Sequence, residues 1–420
     1  MEQGVGVSRT YKWKTVLAMH FIKGVTTSNA RRLSFCLLAV GFLAAACGSG
    51  SAGESPGSQS DVSTTPAAQN IPNVQGWNTD WSNTTIDLSE LRRGLSAPDP
   101  RDGIRPIDEP KLDTVAAASD WLDDREPVAL AEAGGETRAY PLRILTWHEV
   151  VNDELGGVPV AVTYCPLCNS AVGFEREVAG QVLTFGVSGL LRNSDLVMWD
   201  RQTESLWQQL TGEGIVGELA GTQLKFIPVT IVSWETFREQ FPDGTVLSQD
   251  TGFGRSYGIN PYDFYDSASR PFLFSGELDD RYPAMERVLA VVVGETNKAY
   301  PFSLITEERA VNDEVAGEPI VVFWGDESTA SALSDRTIAE GRAVGTGAAY
   351  SRTVDGQVLT FSAAGEDTFE DDETGTKWDL LGNGVDGPLA GEKLERVIAD
   401  TPLWFAWAAF NDGSPVYEGA

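Results

Sequence analysis

Residues 139–154 read Ala-Tyr-Pro-Leu-Arg-Ile-Leu-Thr-Trp-His-Glu-Val-Val-Asn-Asp-Glu, and residues 299–314 read Ala-Tyr-Pro-Phe-Ser-Leu-Ile-Thr-Glu-Glu-Arg-Ala-Val-Asn-Asp-Glu. The two stretches align without a gap. Self-similarity at a fixed distance is the signature of an internal repeat, and a repeat determines how the rest of a chain is interpreted. The pair therefore predicts two tandem, diverged copies of one framework.

Two further matches follow in the same order. Gly-Gln-Val-Leu-Thr-Phe occurs at 180–185 and at 356–361, and the pattern Gly-x-Gly-x-x-Gly-x-Leu-Ala-Gly occurs at 212–221 and at 382–391. The distance between matched segments is 160 residues for the first pair, 176 for the second and 170 for the third. We therefore expect insertions in loops of the second copy. The glycine pattern is interpreted as turn geometry, because no strand–helix context makes it a dinucleotide fingerprint.

Each copy is predicted to be α+β, mainly antiparallel sheet with two helices. Apolar residues at helical spacing predict a helix over 144–155, which Gly156 and Gly157 would end. A continuous β-branched run predicts a buried strand over 158–164. Alternating residues follow, so residues 165–170 are placed at a strand–loop–strand corner. A thioredoxin fold would instead start a helix at this point.

Composition limits the classes of function. The chain has 420 residues, of which 42% are apolar and 22% charged, as in ordinary globular proteins. Its 61 acidic and 31 basic residues leave a net charge of −30. A protein of this charge does not neutralise phosphates, so a nucleic-acid partner is excluded.

The first 46 residues are predicted to be a signal peptide of the lipoprotein type. Basic residues precede an apolar run over 33–46, which is short for a membrane span and typical of an export signal. Small residues before Cys47 resemble a bacterial lipobox, so we expect cleavage there and lipidation of Cys47. An ordinary signal peptide cut at an Ala-x-Ala site is the alternative. The expected location is extracytoplasmic, anchored by lipid to the bacterial cell membrane.

The repeat and the composition together divide the chain into five segments. Residues 1–46 form the signal peptide, and residues 47–75 are rich in Gly, Ser and other polar residues, which predicts a flexible tether. The first copy, with its preceding chain, is assigned to 76–250. Residues 251–280 connect it to the second, degenerate copy, which is assigned to 281–420.

Groups that could do chemistry are confined to the first copy. The whole chain has four cysteines and two histidines. Once the signal peptide is removed, only Cys47, Cys165, Cys168 and His148 remain. The second copy has neither sulfur nor imidazole at the matching positions, which predicts one working site and one architectural partner.

The segment Cys165-Pro-Leu-Cys168 has three interpretations. In a redox dithiol, Cys165 attacks and Cys168 resolves, which needs an exposed Cys165 thiolate whose pKa is lowered, by His148 or Arg192. In a soft-metal site, both thiolates bind copper or zinc, with His148 as a third ligand. In a non-catalytic binding scaffold, the pair forms a static disulfide, although so small a ring removes little chain entropy.

For both His148 and Arg192, an ordinary structural role is the alternative to a role in the cysteine site. A simple antiparallel return of the chain would carry Cys165 past His148 by roughly 10 Å, so the histidine could be hydrogen-bonded on its own helix. Arg192 could pair with a nearby acid such as Asp195 or Asp200.

Five segments carry a resemblance to a known family: residues 139–141, 148–154, 163–170, 192–195 and 205–208. In these the chain resembles the bacterial domain-of-unknown-function family numbered 3179. The resemblance implies an exported or lipid-anchored protein. Selenocysteine near this motif in some relatives implies redox use of the site, with a thiol or disulfide protein as partner and no required cofactor. The family brings no assigned reaction.

Overall fold

A computed structural model describes residues 76–419 of the chain. The predicted signal peptide, the lipidation site Cys47 and the tether lie outside the described residues. Within 76–419 no helix has the length and apolar character needed to cross a membrane. The described chain is mostly antiparallel sheet with few, short helices, in agreement with the predicted α+β class.

The first half of the fold consists of a short N-terminal part and a long run of strands that we call the first series (residues 127–247). The N-terminal part contains β1 (Leu91–Arg93), β2 (Leu112–Thr114) and α1 (Val115–Ala118). The first series contains β3 (Pro127–Ala133), β4 (Glu136–Pro141), α2 (Leu142–His148), β5 (Val150–Leu155), β6 (Val158–Cys165), β7 (Ser170–Glu175), β8 (Glu177–Val178), β9 (Gln181–Val182), β10 (Phe185–Arg192), β11 (Asp195–Asp200), β12 (Leu206–Gln208), β13 (Gly214–Val216), β14 (Phe226–Ile227), β15 (Val229–Ser233), α3 (Trp234–Gln240) and β16 (Thr245–Leu247).

Residues 288–410 form the second series. It contains β17 (Val288–Val293), β18 (Thr296–Pro301), α4 (Phe302–Glu308), β19 (Ala310–Val315), β20 (Glu318–Gly325), β21 (Thr346–Ser351), β22 (Thr353–Val354), β23 (Gln357–Val358), β24 (Phe361–Gly365), β25 (Thr368–Asp371), β26 (Lys377–Asp379), β27 (Gly384–Asp386), β28 (Ile398–Asp400) and α5 (Trp404–Phe410). Single 3-10 turns occur at Leu88–Glu90, Tyr265–Ser267 and Ile338–Glu340.

The elements of the two series run in nearly the same order. Each begins with a hairpin, a seven-residue helix and a pair of antiparallel strands, and each has a strand followed by a second helix near its end; only the first series continues into a further strand, β16. A short turn, residues 166–169, joins β6 to β7, whereas residues 326–345 join β20 to β21. This longer loop lies where the spacing of the sequence matches predicts an insertion, and the repeat itself stays a prediction.

The helix predicted over 144–155 is wrong in its second half. Helix α2 ends at His148, because Glu149 adopts a left-handed conformation with φ 59°. The chain then continues as strand β5, whose valines are buried. Residues with β-branched side chains favour such a strand once both of its faces are covered. The strand predicted over 158–164 is confirmed as β6.

The β6–β7 turn and the β10–β11 turn belong to two different sheets. Their strand orders are β1-β10-β11-β12-β13, β14-β7-β6-β5, β15-β3-β4-β16-β2, β18-β17-β28, β19-β20-β21 and β24-β25-β26-β27, with β8-β9 and β22-β23 as separate hairpins. Among these described strands all pairs are antiparallel except β4 with β16. One apolar cluster contains Cys165 and Cys168 together with Phe274, Leu403 and Phe405, so the cysteines lie where the two series meet.

A buried ion pair fastens the first hairpin to strand β5. Asp153 Oδ2 accepts hydrogen bonds from Arg138 Nη1 at 2.6 Å and from Tyr140 Oη at 2.7 Å. Only 6% of the Arg138 side chain and 8% of the Asp153 side chain are exposed. Removal of one partner from a buried pair leaves an uncompensated charge, so this contact is costly to break.

We predict that Asp153→Ala lowers the free energy of unfolding by about 3 kcal/mol. The matched variant is Asp313→Ala, which breaks the corresponding pair with Lys298 in the second series. That pair is more exposed, at 18% and 19% of its side chains. Its loss should cost only about 1 kcal/mol. Chemical denaturation at neutral pH measures both, and equal losses would contradict the burial argument.

Candidate functional site

The turn between β6 and β7 carries both cysteines. Cys165 is the last residue of β6 and pairs with Ser170, the first residue of β7. The Cys168 backbone N–H donates to the Cys165 carbonyl at 3.1 Å, which closes the turn. Asn169 completes it with φ 54°, a conformation that asparagine tolerates better than most residues. The predicted strand–loop–strand corner is confirmed.

Both sulfurs are unbonded and buried, and they face the tip of a second hairpin. Cys165 is 2% exposed and Cys168 0%. Each Sγ points to the Ser194 carbonyl oxygen, at 4.0 Å for Cys165 and 3.7 Å for Cys168. A carboxylate oxygen of Asp195 completes a group of three ligand atoms that lie within 4.8 Å of one another. Within the described residues this is the one such group, and we call it the dithiol–carboxylate site.

The β10–β11 hairpin delivers Asp195 to the sulfurs. Its two turn residues, Asn193 and Ser194, both have positive φ (50° and 68°), as in the tight turns that match the twist of a hairpin. The hairpin runs from residue 185 to residue 200, whereas the corresponding hairpin of the second series runs only from 361 to 371. The extra length in the first series carries Asp195 over the cysteine turn.

The two carboxylate oxygens of Asp195 have different hydrogen-bond surroundings. Its Oδ2 accepts hydrogen bonds from Gln208 Nε2 at 2.6 Å and from the Leu210 backbone N–H at 3.0 Å. Its Oδ1 is buried and receives no N–H or O–H, and its neighbours are the two thiols, whose weak S–H hydrogen bonds lower the Asp195 pKa against the larger effect of burial. Burial raises the pKa of this carboxyl to about 6. A buried carboxylate oxygen that has only weak thiol donors calls for a specific explanation, and a bound ion is one.

The surroundings keep the thiols protonated. Burial raises the pKa of both thiols, most strongly that of Cys168. The nearby carboxyls of Asp195 and Glu149 raise the Cys165 pKa further, against a hydrogen bond with Cys168 that lowers it. The redox interpretation requires an exposed Cys165 with a lowered pKa, and the structure has a buried Cys165 with a raised one.

His148 is not brought to the sulfurs. It is fully buried, and its Nδ1 lies 2.6 Å from the Arg105 carbonyl oxygen while its Nε2 lies 2.7 Å from the Tyr257 hydroxyl. Burial lowers the pKa of His148, which favours the neutral ring. Both nitrogens are therefore in use, and the ligand group around the sulfurs consists of Cys165, Cys168 and Asp195 without His148. The chain-return estimate assumed a helix through residue 155 and is wrong, because the β5–β6 register brings Cys165 back level with the end of α2. The His148 ring is instead held by the Arg105 carbonyl and the Tyr257 hydroxyl.

Arg192 also lies away from the sulfurs and does not pair with the acids expected for it. Its Nε donates to Glu90 Oε2 at 2.7 Å, so neither Asp195 nor Asp200 is its partner. Its Nη1 lies 3.5 Å from Gln208 Oε1, and Gln208 in turn holds Asp195. Arg192 therefore supports the site indirectly and does not lower the thiol pKa values.

Glu149 is a site residue that the sequence alone did not single out. It is 6% exposed, and its Oε1 accepts a hydrogen bond of 3.1 Å from the Tyr262 hydroxyl. Burial raises its pKa to about 7. The signal available in the sequence was its counterpart, Arg309, which reverses the charge within an otherwise well-matched stretch.

The second series holds the cysteine turn in place. Asp400 at the end of β28 accepts hydrogen bonds from Ser170 Oγ at 2.6 Å and from the Ala171 backbone N–H at 2.9 Å. The Leu403 N–H donates to the Cys168 carbonyl at 2.8 Å. These contacts fix the residues directly after the cysteines, so the turn is braced from both series.

The fold and the site define a mainly antiparallel protein with a buried pair of free thiols beside a carboxylate. Within this class, the family described as "protein of unknown function (DUF3179)" matches residues 101–414, and the chain belongs to that family. The expected family is thereby confirmed. Comparison with curated proteins and with solved structures gives no match.

Glu149→Gln is predicted to change how stability depends on pH. Because burial raises the Glu149 pKa from 4.5 to about 7, the folded state keeps a proton that the unfolded state releases. Stability is therefore lost as the pH rises from 4.5 towards 7, and this one group accounts for a loss of about 3 kcal/mol. The Glu149→Gln variant should lack this loss of stability at rising pH.

The measurement is the free energy of unfolding of the metal-free protein between pH 4.5 and pH 8. The exposed Glu154→Gln variant is the control and should follow the wild type at every pH. Parallel curves for wild type and Glu149→Gln would show that the Glu149 carboxyl is not perturbed by folding.

Proposed function

We propose that the dithiol–carboxylate site binds Zn(II) through Cys165, Cys168 and Asp195. The observation that carries the proposal is that two unbonded sulfurs and a buried carboxylate, whose Oδ1 receives no N–H or O–H, place three ligand atoms within 4.8 Å of one another. A cation would satisfy that oxygen and would also balance the charge of the two thiolates. Charged groups that are buried without a partner are otherwise strongly unfavourable.

The donor set favours zinc over copper. Cys-x-x-Cys at a turn is a common way for a chain to present two thiolates to one Zn(II) ion. Thiolates suit both Zn(II) and Cu(I), but a carboxylate oxygen is a hard ligand that suits Zn(II) better. Two thiolates and one carboxylate leave a fourth tetrahedral position, which in zinc proteins is taken by water or by a substrate.

We further propose that the site faces the outside of the cell. The sequence of residues 1–46 supports export, and the lipobox-like residues before Cys47 support a lipid anchor in the membrane. The polar residues 47–75 would then hold the folded part away from the bilayer. The matched element order of the two series supports an origin by duplication, after which only the first copy kept metal ligands.

Thiol–disulfide exchange is the second candidate. It is favoured by the two free sulfurs, which both contact the Ser194 carbonyl oxygen. Cys165 would attack the disulfide of a partner protein, and Cys168 would resolve the mixed disulfide. The partner would leave with two thiols, and Cys165–Cys168 would remain as a disulfide. This exchange requires local opening, because both sulfurs are buried.

Zinc binding is tested by titration of the reduced, metal-free protein with Co(II) and then Zn(II). We expect one ion per chain, a thiolate-to-cobalt charge-transfer band, and displacement of cobalt by zinc. Cys165→Ser and Cys168→Ser should each abolish the band. Asp195→Asn should weaken zinc binding at least tenfold, because it removes the anionic oxygen while it keeps the shape of the side chain.

His148→Gln is the matched control, and it should leave the zinc affinity within about twofold of the wild type. Circular dichroism of every variant checks that the fold is retained. If zinc does not bind, and a mild thiol oxidant instead closes a reversible Cys165–Cys168 disulfide, the metal proposal fails and the redox candidate replaces it. Equal zinc affinities of wild type and Asp195→Asn would exclude the carboxylate as a ligand.

A further inference from the structure

A large cavity lies next to the dithiol–carboxylate site. Its volume is about 560 Å³, which lies within the range of small-molecule binding pockets. One wall consists of aliphatic side chains of the first series, among them Leu167, Val187 and Leu196. The opposite wall comes from residues 261–272, part of the segment between the two series.

The wall formed by residues 261–272, which we call the outer wall, has two features that are unusual for a segment that only connects two parts of a fold. Phe264 and Phe272 line the cavity, yet 57% and 55% of their surfaces are exposed. Phe264 also has a positive φ of 58°, which is rare for a bulky residue. Large apolar side chains left in solvent around a concave surface are typical of a binding site.

The charges around the cavity limit what it can bind. Of the residues that line it, Glu149 and Asp263 are acidic, and within the described part of the chain the lining includes no lysine, arginine or histidine. An anionic ligand would therefore be repelled and would find no cation to pair with. A neutral or cationic molecule avoids this cost, and a donor group on it could bind to the Glu149 carboxyl.

The cavity and the sulfurs are neighbours separated by one layer of side chains. Leu167 and Leu196 line the cavity and also pack in the apolar cluster that contains Cys165 and Cys168. Tyr262 and Tyr265, which belong to the opposite wall, pack against the same cluster. The wall is fastened to the β10–β11 turn, where Ser194 Oγ donates to the Phe272 carbonyl.

We propose that this cavity binds a small, mainly apolar molecule that is neutral or cationic. The apolar lining, the volume and the purely acidic charge of the lining carry the proposal. It goes beyond metal binding and does not depend on it, because none of the three proposed zinc ligands lines the cavity.

Two fluorescent probes that share one ring system test the proposal. N-phenyl-1-naphthylamine is neutral and has an N–H donor, and 1-anilinonaphthalene-8-sulfonate adds a sulfonate to the same rings. We expect saturable binding of the neutral probe, with one site per chain, and binding of the sulfonate at least tenfold weaker. Ala268→Trp, which fills the cavity from its outer wall, should weaken binding of the neutral probe at least tenfold.

Ala339→Trp is the matched control, since Ala339 is also half-buried but lies outside the cavity. It should leave binding of the neutral probe unchanged. Cys165→Ser should do the same, so failure of the zinc proposal would leave this one standing. The proposal is overturned if the neutral probe does not saturate, if Ala268→Trp leaves its affinity unchanged, or if the sulfonate binds equally well.

Discussion

Asp195 lies where a carboxylate is costly unless its charge is balanced. Two hydrogen bonds satisfy Oδ2, while Oδ1 is buried, receives no N–H or O–H, and faces two thiols, which are weak donors. Burial raises the pKa of Cys165, and the neighbouring carboxyls of Asp195 and Glu149 raise it further. The geometry of the site follows from this constraint, because a bound cation would balance the carboxylate and the thiols together.

Residues of both series hold the dithiol–carboxylate site in place. The first series supplies all three proposed ligands, from the β6–β7 turn and the β10–β11 hairpin. The second series supplies Asp400, which bonds to the residues that follow the cysteines. In the second series, residues 326–345 replace the short cysteine turn, and the corresponding hairpin is shorter. Among the described residues, the dithiol–carboxylate group therefore lies in the first series alone.

Sequence alone predicted much of the framework and about half of the site. The β6 strand and the cysteine corner followed from a β-branched run and the alternation after it. The end of α2 was misplaced, because apolar residues at 150–155 fit a helix and a buried strand equally well. His148 was chosen for its residue type, but its ring is held by the Arg105 carbonyl and the Tyr257 hydroxyl, two contacts that the sequence pattern does not indicate. Asp195 was missed as a ligand because it meets the sulfurs only when turns of two different sheets pack together.

X-ray absorption at the zinc edge of the purified, zinc-loaded protein tests the central claim most directly. The account predicts two sulfur neighbours at about 2.3 Å and a remaining shell of oxygen at about 2.0 Å. It also predicts that the Asp195→Asn variant changes the oxygen shell and keeps both sulfurs. A shell with imidazole scattering or without sulfur would contradict the assignment of Cys165, Cys168 and Asp195 as the ligands.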